Sequence, residues 1–297
     1  MISVLIPVFN YDVRELVEAL NDQLSALGIN YEIRVYDDCS SNDALNTIND
    51  AISGFPNVVL KKLSQNRGFC GIRNLLAEEA KYDLLLFLDS DVEIINKGFI
   101  AKYLDVRDEK TVFCGGMKYT DEPPALPLYL KWIHGKTREE AAPEIRNKAA
   151  HRTLWAGNFL IPKKIYLAAR FDDGSSRYGY NDTMFGYKLM VQEVPVVHID
   201  NALLHNGLMP GQKFIDRSLE AVENLLFFEQ QTYIRPSFYE FIKVFKYGQF
   251  LKRIKLDGLF LRIYQSKKDQ WVQNLLSSYP NLRNLDKLKL GRLLELK

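Results

Sequence analysis

The chain has 297 residues, 47% of them hydrophobic and 26% charged, a composition typical of a soluble globular protein with one large domain or a domain with an appendage. No apolar run approaches the ~18 residues that a membrane-spanning helix requires, and Met1–Pro7 has no basic region, so we expect neither a membrane span nor a signal peptide. The net charge of +2 conceals an asymmetry: residues 211–297 carry 16 basic and 9 acidic side chains, a balance of +7, and the preceding residues carry −5.

The cysteines indicate the compartment. Cys39, Cys70 and Cys114 are odd in number, lie far apart in sequence and lack metal-ligand spacing. Such cysteines are typical of reduced thiols, because disulfide frameworks use paired cysteines in oxidising compartments. We therefore expect a cytoplasmic protein.

The first half of the chain alternates predicted strands with predicted helices. Five consecutive apolar residues in Leu84–Leu88 indicate a strand that is buried on both faces. Repeated strand–helix units predict an α/β fold with a doubly wound, mostly parallel central sheet flanked by helices. Strands are expected at Ile2–Pro7, Tyr31–Tyr36, Val58–Leu63, Leu84–Leu88 and Thr111–Met117, and helices at Val13–Leu27, Asp43–Ile52, Gly71–Ala80 and Phe99–Val106.

The middle of the chain changes character. Residues Tyr119–Ala150 contain four prolines and several charges, which predict a loop or mobile excursion. Long loops in compact domains are usually functional or disordered. Mixed α/β structure then returns, and beyond Pro210 the sequence is helical and aromatic-rich. We expect a catalytic domain at 1–209, with halves 1–118 and 119–209, and a basic helical extension at 210–297. The returning elements are a strand within Thr153–Ile161, helices at Lys163–Arg170 and Asn181–Val191, and a strand at Val194–Ile199.

Two carboxylates follow the Leu84–Leu88 strand directly. In open α/β sheets, ligands bind outside the carboxyl ends of the strands. Asp89 and Asp91, separated by Ser90, repel each other there unless a cation lies between them. Mg²⁺ or Mn²⁺ suits such oxygen ligands and commonly bridges substrate phosphates. A solvated turn is the alternative for this sequence taken alone.

The three upstream strands end in residues that suit a nucleoside diphosphate. Pro7 is expected to end the hydrogen bonding of the first strand, and Phe9 offers a flat ring beside Asn10. Asp37 and Asp38 end the second strand and can accept a hydrogen bond from a base. In the loop after the third strand, which begins at Asn66, Gly68 and Gly71 allow close backbone approach, and Arg67 and Arg73 offer forked donors that suit phosphate. Its spacing matches neither the dinucleotide fingerprint nor a Walker loop.

These motifs, in this order, resemble those of the inverting family-2 glycosyltransferases, which have the GT-A fold. The Ser3–Asn10 start, the Tyr36–Ser40 and Asn66–Asn74 stretches and the Asp-x-Asp motif at Asp89–Asp91 carry the resemblance, which extends to about residue 207. Tyr36, Cys39 and Ile72 depart from the residues that the family usually has. The resemblance implies a nucleotide-sugar donor bound by Pro7, Phe9, Asn10, Asp37, Asp38, Asn66, Gly68, Arg73, Asp89 and Ser90.

The resemblance also implies roles in the second half of the chain. Asp182 corresponds to the catalytic base, and Asn181 stands where the family usually has glutamate. His205 corresponds to a metal ligand or diphosphate contact, so the implied metal set is Asp91, Asp89 and His205 with Mn²⁺ or Mg²⁺. Asn181 and Trp155 are expected on the acceptor side. For Trp155 a place in the core is an equal alternative, and Asp182 could instead favour a helix N-terminus.

The expected reaction is therefore transfer of a sugar from a nucleotide diphosphate, most simply a UDP-sugar, to a saccharide or lipid-linked acceptor hydroxyl, in polysaccharide or glycoconjugate synthesis. A single displacement would invert the anomeric carbon. Two alternatives are a sugar-phosphate nucleotidyltransferase and a non-catalytic nucleotide-sugar-binding protein of the same fold. The first would require a glycine-rich basic loop after the first strand, which Phe9–Tyr11 does not supply.

The basic tail has two interpretations. From Arg235 onwards, aromatic and aliphatic residues alternate with Lys and Arg, as in helices that lie on an anionic membrane surface at the cytoplasmic face. Alternatively, the helices pack their apolar stripe on the catalytic domain or on another copy of the chain in a homo-oligomer. No nucleic-acid-binding motif accompanies the charge, so a nucleic-acid partner is not expected.

Overall fold

A computed structural model describes residues 1–174 and 179–297. The strands of these residues are β1 (Ile2–Val8), β2 (Tyr31–Asp37), β3 (Val58–Lys62), β4 (Leu84–Leu88), β5 (Val92–Glu93), β6 (Val112–Cys114), β7 (Met117–Lys118), β8 (Asn158–Pro162), β9 (Val196–His198) and β10 (Leu203–His205). The helices of the first 210 residues are α1 (Arg14–Ala26), α2 (Asp43–Asp50), α3 (Gly68–Glu79), α4 (Phe99–Val106), α5 (Leu126–His134), α6 (Pro143–Arg146), α7 (Lys163–Ala169) and α8 (Asn181–Val191).

Seven strands form a mostly parallel sheet in the order β3-β2-β1-β4-β8-β6-β9. Only β8 runs antiparallel to its neighbours, β4 and β6. The fold class expected from the sequence is therefore confirmed. Three short strands form a second sheet in the order β5-β10-β7. In the chain, β5 follows β4 and β7 follows β6.

The β4 strand shows why the sheet is buried on both faces. Leu86 and Leu88 pack in one hydrophobic cluster, and Leu85 and Phe87 pack in another. Because successive side chains of a strand point to opposite faces, the two clusters lie on opposite sides of the sheet. Helices cover both faces, as a doubly wound sheet requires.

Several predicted boundaries are corrected. β1 continues through Pro7 to Val8, so Pro7 does not end that strand. Proline is tolerated there because the pairing of β1 with β4 extends only to Leu5, beyond which no amide hydrogen is needed on that side. The expected Thr111–Met117 strand divides into β6 and β7, because Gly116 adopts a left-handed backbone (φ +82°) that redirects the chain from one sheet to the other.

The expected loop at Tyr119–Ala150 is wrong. This segment contains α5, a π-type turn at residues 135–139, α6 and a distorted 3₁₀ segment at residues 147–153. The misleading signal was proline. Pro127 and Pro143 lie in the first turns of α5 and α6, where a missing amide hydrogen costs nothing.

The predicted helical character beyond Pro210 is confirmed. These helices are α9 (Gly211–Glu229), α10 (Ser237–Phe241), α11 (Lys243–Arg253), α12 (Asp257–Leu275) and α13 (Arg283–Leu296). In the described ranges, none of the helices combines the length and hydrophobicity that crossing a membrane requires.

The described residues form two compact units. The first contains residues 1–119, 140–174 and 181–207, and the second contains 120–139, 179–180 and 208–297. The first unit holds both sheets. The division into a catalytic domain (1–209) and an extension (210–297) stays a prediction about function.

All three cysteines are free thiols. Cys70 and Cys114 are buried, and burial raises the pKa of each thiol to about 12, so neither is a reactive thiolate at neutral pH. Cytoplasmic residence stays a prediction.

Arg146 organises a polar cluster inside the first unit. Its buried guanidinium donates to the backbone carbonyls of Cys114 (3.3 Å), Gly115 (3.1 Å) and Ile199 (2.9 Å). It also lies 2.6 Å from His198 Nδ1. Because arginine has no acceptor, the Nδ1 atom must accept this bond, so His198 is a neutral imidazole that donates from Nε2 to Ala150 O at 2.9 Å.

This cluster predicts acid sensitivity. Burial, with Arg146 and His151 adding to it, lowers the pKa of His198 from 6.5 to about 4. Between these values the unfolded chain binds a proton that the folded chain does not, so stability falls as the pH falls. At pH 5 the loss from this group should be about 2 kcal/mol relative to pH 7, measured by urea unfolding.

Matched variants identify the responsible group. His198→Asn should flatten the slope of unfolding free energy between pH 7 and pH 5, whereas His151→Asn should keep it. An unchanged slope in His198→Asn would show that another group carries the acid sensitivity.

Candidate active site

Asp89 lies where β4 meets the start of the reversed strand β8. Its backbone N–H donates to Gly157 O at 3.1 Å. Its carboxylate forms a close ion pair with the guanidinium of the buried Arg73 on α3. Burial raises the pKa of the Asp89 carboxyl and the neighbouring Asp91 adds to this, whereas Arg73 and His205 act in the opposite direction. Asp89 is thus fixed by the protein itself.

Arg73 is held on three sides. Its guanidinium carbon lies 3.7 Å from the centre of the Phe69 ring, and one terminal nitrogen donates to Phe69 O at 2.9 Å. Its other terminal nitrogen pairs with Asp89. Its Nε is buried and has no hydrogen-bond partner among the residues that the structure describes. Arg73 therefore positions Asp89 and keeps one unused donor.

Asp91 and His205 form the second half of this edge. Ser90 and Asp91 make a turn, and β5 follows at once. Since Val92 of β5 pairs with His205 of β10, the register of the small sheet brings the two side chains together, with Asp91 Oδ2 3.6 Å from His205 Nε2. The Asp91 carbonyl also accepts the N–H of Asn206 at 2.8 Å.

Glycine at position 207 makes this approach possible. A Cβ atom on Gly207 would overlap Asp91 Oδ2 and would lie 3.0 Å from His205 Nε2. Gly157 does the same for Asp89, because a Cβ there would overlap the Trp155 ring and lie 2.5 Å from Asp89 Oδ2. Both glycines thus leave space at the carboxylate edge.

Aromatic rings fix His205. Its imidazole contacts Tyr119 and Trp155 edge to face, with ring centres 5.3 Å and 5.6 Å apart. Trp155 is half-buried and packs against the main hydrophobic core. This packing agrees with a place in the core, and the ring contact puts Trp155 beside His205. A role of Trp155 on the acceptor side stays a prediction.

Asp91 and His205 fit a divalent cation as a partial ligand set. A carboxylate oxygen and an imidazole nitrogen converge on the space that Gly207 leaves free. Among the described residues, no cluster of three His, Cys, Asp or Glu side chains is arranged to hold a metal ion. A two-residue set is nevertheless common where substrate phosphates and water supply the remaining ligands.

Asp182 reaches the same edge from α8. It lies in the first turn of that helix, and its Oδ2 accepts the N–H of Ala156 at 3.2 Å. Residues 155–157 are therefore bonded to Asp182 on one side and to Asp89 on the other. α8 packs closely because a Cβ on Gly186 would overlap His151 O. Asn181, the predicted acceptor contact, is buried.

The end of β1 is joined to the loop after β2. Asn10 adopts a left-handed backbone (φ +52°), and its N–H donates to Ser40 Oγ at 2.7 Å. Its side-chain oxygen accepts the amides of Ser41 and Asn42 at 3.0 Å and 3.1 Å. The adjacent Phe9 ring is 53% exposed and available to a ligand.

Asp37 and Asp38 support the neighbouring loops. Asp37 accepts the amide of Ser40 at 2.7 Å. Asp38 is buried and accepts the amides of Arg67 and Gly68 at 2.7 Å and 2.9 Å. Burial raises the pKa of its carboxyl, and these two hydrogen bonds act in the opposite direction. The side chain of Asn66 donates to Asp38 O at 2.9 Å. In this structure, these residues, which are predicted to contact the donor, stabilise the loops after β2 and β3.

Sequence reasoning missed several residues of this edge. No role was expected for Tyr119, Gly157 or Gly207, although each contacts a predicted site residue. A usable signal was present for Gly207, since it lies two positions after the predicted ligand His205. For Tyr119 none was available, because its contact depends on the pairing of β7 with β10.

Comparisons with known proteins identify the family. The model of the family described as glycosyl transferase family 2 matches residues 3–165, more than half of the chain. Chondroitin synthase of Escherichia coli is 23% identical over 276 residues, which cover 80% of this chain and 39% of that enzyme. The chain thus spans well under two thirds of that relative's length.

Solved structures show the same fold. S. aureus TarS residues 1–349 align with a TM-score of 0.51 and 17% identity over 98% of this chain and 90% of that one. The mannosyltransferase PcManGT from Pyrobaculum calidifontis aligns with a TM-score of 0.50 and 13% identity over 81% of this chain and 67% of that one.

Proposed function

Since this chain belongs to glycosyl transferase family 2, we propose that it transfers a sugar from a nucleotide diphosphate donor to an acceptor hydroxyl with inversion. One observation carries the proposal. Residues 155–157 are bonded to Asp182 and to Asp89, so a general base and a diphosphate-facing carboxylate edge share one short segment. A displacement reaction requires such groups on opposite sides of the reacting carbon.

The donor side uses the strand ends. The exposed Phe9 ring offers a face for the base, and the loops held by Asp37, Asp38 and Asn10 shape its surroundings. Ser90 lies in the turn between Asp89 and Asp91, where it would contact the diphosphate. The unused Nε of Arg73 supports a contact with a phosphate oxygen, in addition to the pairing of Arg73 with Asp89.

The cation would be held by Asp91 and His205. When bound, a divalent cation neutralises charge on the departing diphosphate. Asp89, already paired with Arg73, would orient this edge. Its predicted place in the metal set stays a prediction, because no three His, Cys, Asp or Glu side chains of the described residues are arranged to hold a cation. The rings of Tyr119 and Trp155 hold the His205 imidazole in one orientation.

The acceptor side uses Asp182. Its Oδ2 already accepts a backbone hydrogen bond, which holds the carboxylate in place while its remaining lone pairs receive the proton of the acceptor hydroxyl. The hydroxyl oxygen then attacks the anomeric carbon as the bond to the diphosphate breaks. Trp155 walls this space, and buried Asn181 supports the start of α8.

For the donor we propose a UDP-sugar, and for the acceptor a saccharide or lipid-linked saccharide in polysaccharide or glycoconjugate synthesis. The relationship to a synthase of chondroitin supports a saccharide acceptor. PcManGT was solved with GDP-Man and Mn²⁺, which supports the use of a nucleotide sugar with a divalent cation and makes GDP-sugars the competing donor class.

A thermal-shift panel of UDP- and GDP-sugars with Mn²⁺ tests the donor. At about 100 times its Kd, the true donor should add about 2.7 kcal/mol of stability, and chelation by EDTA should remove most of it. Release of UDP in the presence of saccharide acceptors would support transfer. Stabilisation by GDP-sugars alone would overturn the choice of UDP, pyrophosphate release would indicate a nucleotidyltransferase, and binding without turnover would indicate a non-catalytic protein.

A further inference from the structure

A corner between α11 and α12 exposes an unusual concentration of apolar side chains. Six of the 19 large exposed hydrophobic residues in the described part of the chain lie within 17 consecutive positions. Phe250 is 50% exposed and Leu259 is 54% exposed. We define this corner surface by Tyr247, Phe250, Ile254, Leu256, Leu259 and Ile263.

Packing within the second unit does not explain this exposure. α11 already buries one apolar face, in which Phe245 contacts Phe238 with ring centres 5.4 Å apart and Gly248 approaches Leu293 of α13. Tyr247, Phe250 and Ile254 recur three and four residues apart, so they form a second stripe on another face of the same helix. The first stripe packs within the second unit, and the second stripe is exposed to solvent.

Positive charge surrounds the corner surface. Between residues 243 and 263 there are six Lys or Arg and a single acidic residue, Asp257. Lys246 pairs with Glu240 at 2.6 Å. The exposed Lys252, Arg253 and Lys255 have no ion-pair partner within residues 1–174 and 179–297. These three cations therefore face the solvent and do not form ion pairs within the described part of the second unit.

Lys255 itself occupies a position that favours glycine. It adopts a left-handed backbone (φ +59°) at the end of α11. The amide of Leu256 donates to Leu251 O and that of Lys255 to Lys252 O, both at 3.0 Å, which is the bonding of a Schellman helix end. A lysine costs stability there relative to glycine, so glycine at this position should stabilise the helix end.

We propose that the corner surface docks onto an anionic membrane surface, with its apolar side chains among the acyl chains and its cations at the lipid phosphates. Charge complementarity selects this occupant. A symmetric contact with a second copy would bring the same unpaired cations against each other. Nucleic acid would leave the aliphatic residues, four of the six, without a stacking partner.

Vesicle flotation of the purified chain tests this proposal. Phosphatidylcholine vesicles containing phosphatidylglycerol should bind the chain, vesicles of phosphatidylcholine alone should bind it weakly, and raising NaCl from about 0.05 to 0.5 M should release it. Lys252→Gln with Arg253→Gln should lower the partition coefficient about 25-fold, and Phe250→Ser with Leu259→Ser about tenfold or more. Arg107→Gln with Lys110→Gln, a pair of exposed cations in the first unit, and Tyr279→Ser are matched controls outside the surface and should change it little.

Lys255→Gly separates binding from folding. It should raise the Tm while lowering the partition coefficient about fivefold, a combination that damage to the fold does not produce. Absence of binding to anionic vesicles at low salt would overturn the proposal, as would equal effects of the paired variants and their controls. A dimer that Phe250→Ser with Leu259→Ser dissociates would instead identify the surface as an interface between copies.

Discussion

Replacing Asp182 with Asn is expected to lower kcat by about 10²–10⁴-fold with little change in donor affinity. The amide cannot accept the proton of the acceptor hydroxyl, so the attacking oxygen stays a weak nucleophile. An Asn oxygen can still accept the N–H of Ala156, which keeps residues 155–157 in place. The measurement is steady-state sugar transfer, accompanied by donor binding in a thermal-shift assay.

Asp200→Asn is the matched control, because it makes the same chemical change at an exposed carboxylate of the same unit. It should leave kcat within about twofold, as surface substitutions usually do. If Asp182→Asn kept full transfer activity, another residue would have to be the base. If it lost donor binding as well, its role would be structural, at the start of α8.

Gly207→Ala should raise the Mn²⁺ concentration needed for half-maximal activity by about 10–100-fold. The added methyl group would overlap Asp91 Oδ2 and would lie 3.0 Å from His205 Nε2, so the carboxylate must turn away from the imidazole. The backbone of Gly207 is not in the left-handed conformation, so alanine introduces the overlap with Asp91 without backbone strain. Metal titration of the transfer rate measures the effect directly.

Gly54→Ala is the control for this change, since nothing lies within 4 Å of the added atom. The Tm of Gly207→Ala should stay close to that of the parent chain, because the overlap involves side chains that are partly exposed. Excess Mn²⁺ should restore part of the activity, which Asp91→Ala should not allow. An unchanged metal requirement in Gly207→Ala would argue against Asp91 and His205 as ligands.

The central strands could be predicted from the sequence because their signal is local. β4 was placed with correct bounds from five apolar residues followed by a carboxylate, and α4 and α8 were also placed correctly. Once the strand is known, the position of Asp89 and Asp91 at a ligand-binding edge follows. Their selection as site residues stays a prediction until variants are measured.

The remaining features depend on distant partners. An arginine after a strand suits a phosphate, and nothing local indicates that Arg73 meets Asp89, which is 16 residues away. Likewise, nothing local indicates that Asp38, which is predicted to bind a base, accepts the amides of Arg67 and Gly68. In the 119–150 segment, proline was misleading because the residue that breaks helices also starts them.

The reversed strand β8 also bears on the order of folding. β3, β2, β1 and β4 are neighbours that are complete in the first 88 residues, so they can form a stable subsheet early. β6 pairs only with β8 and β9, both of which come later in the chain. It therefore has no partner in this sheet among the strands that precede it in the chain. Gly157, which accepts the Asp89 amide, directly precedes β8, so the carboxylate edge depends on a segment that lies about 70 residues after Asp89 in the chain.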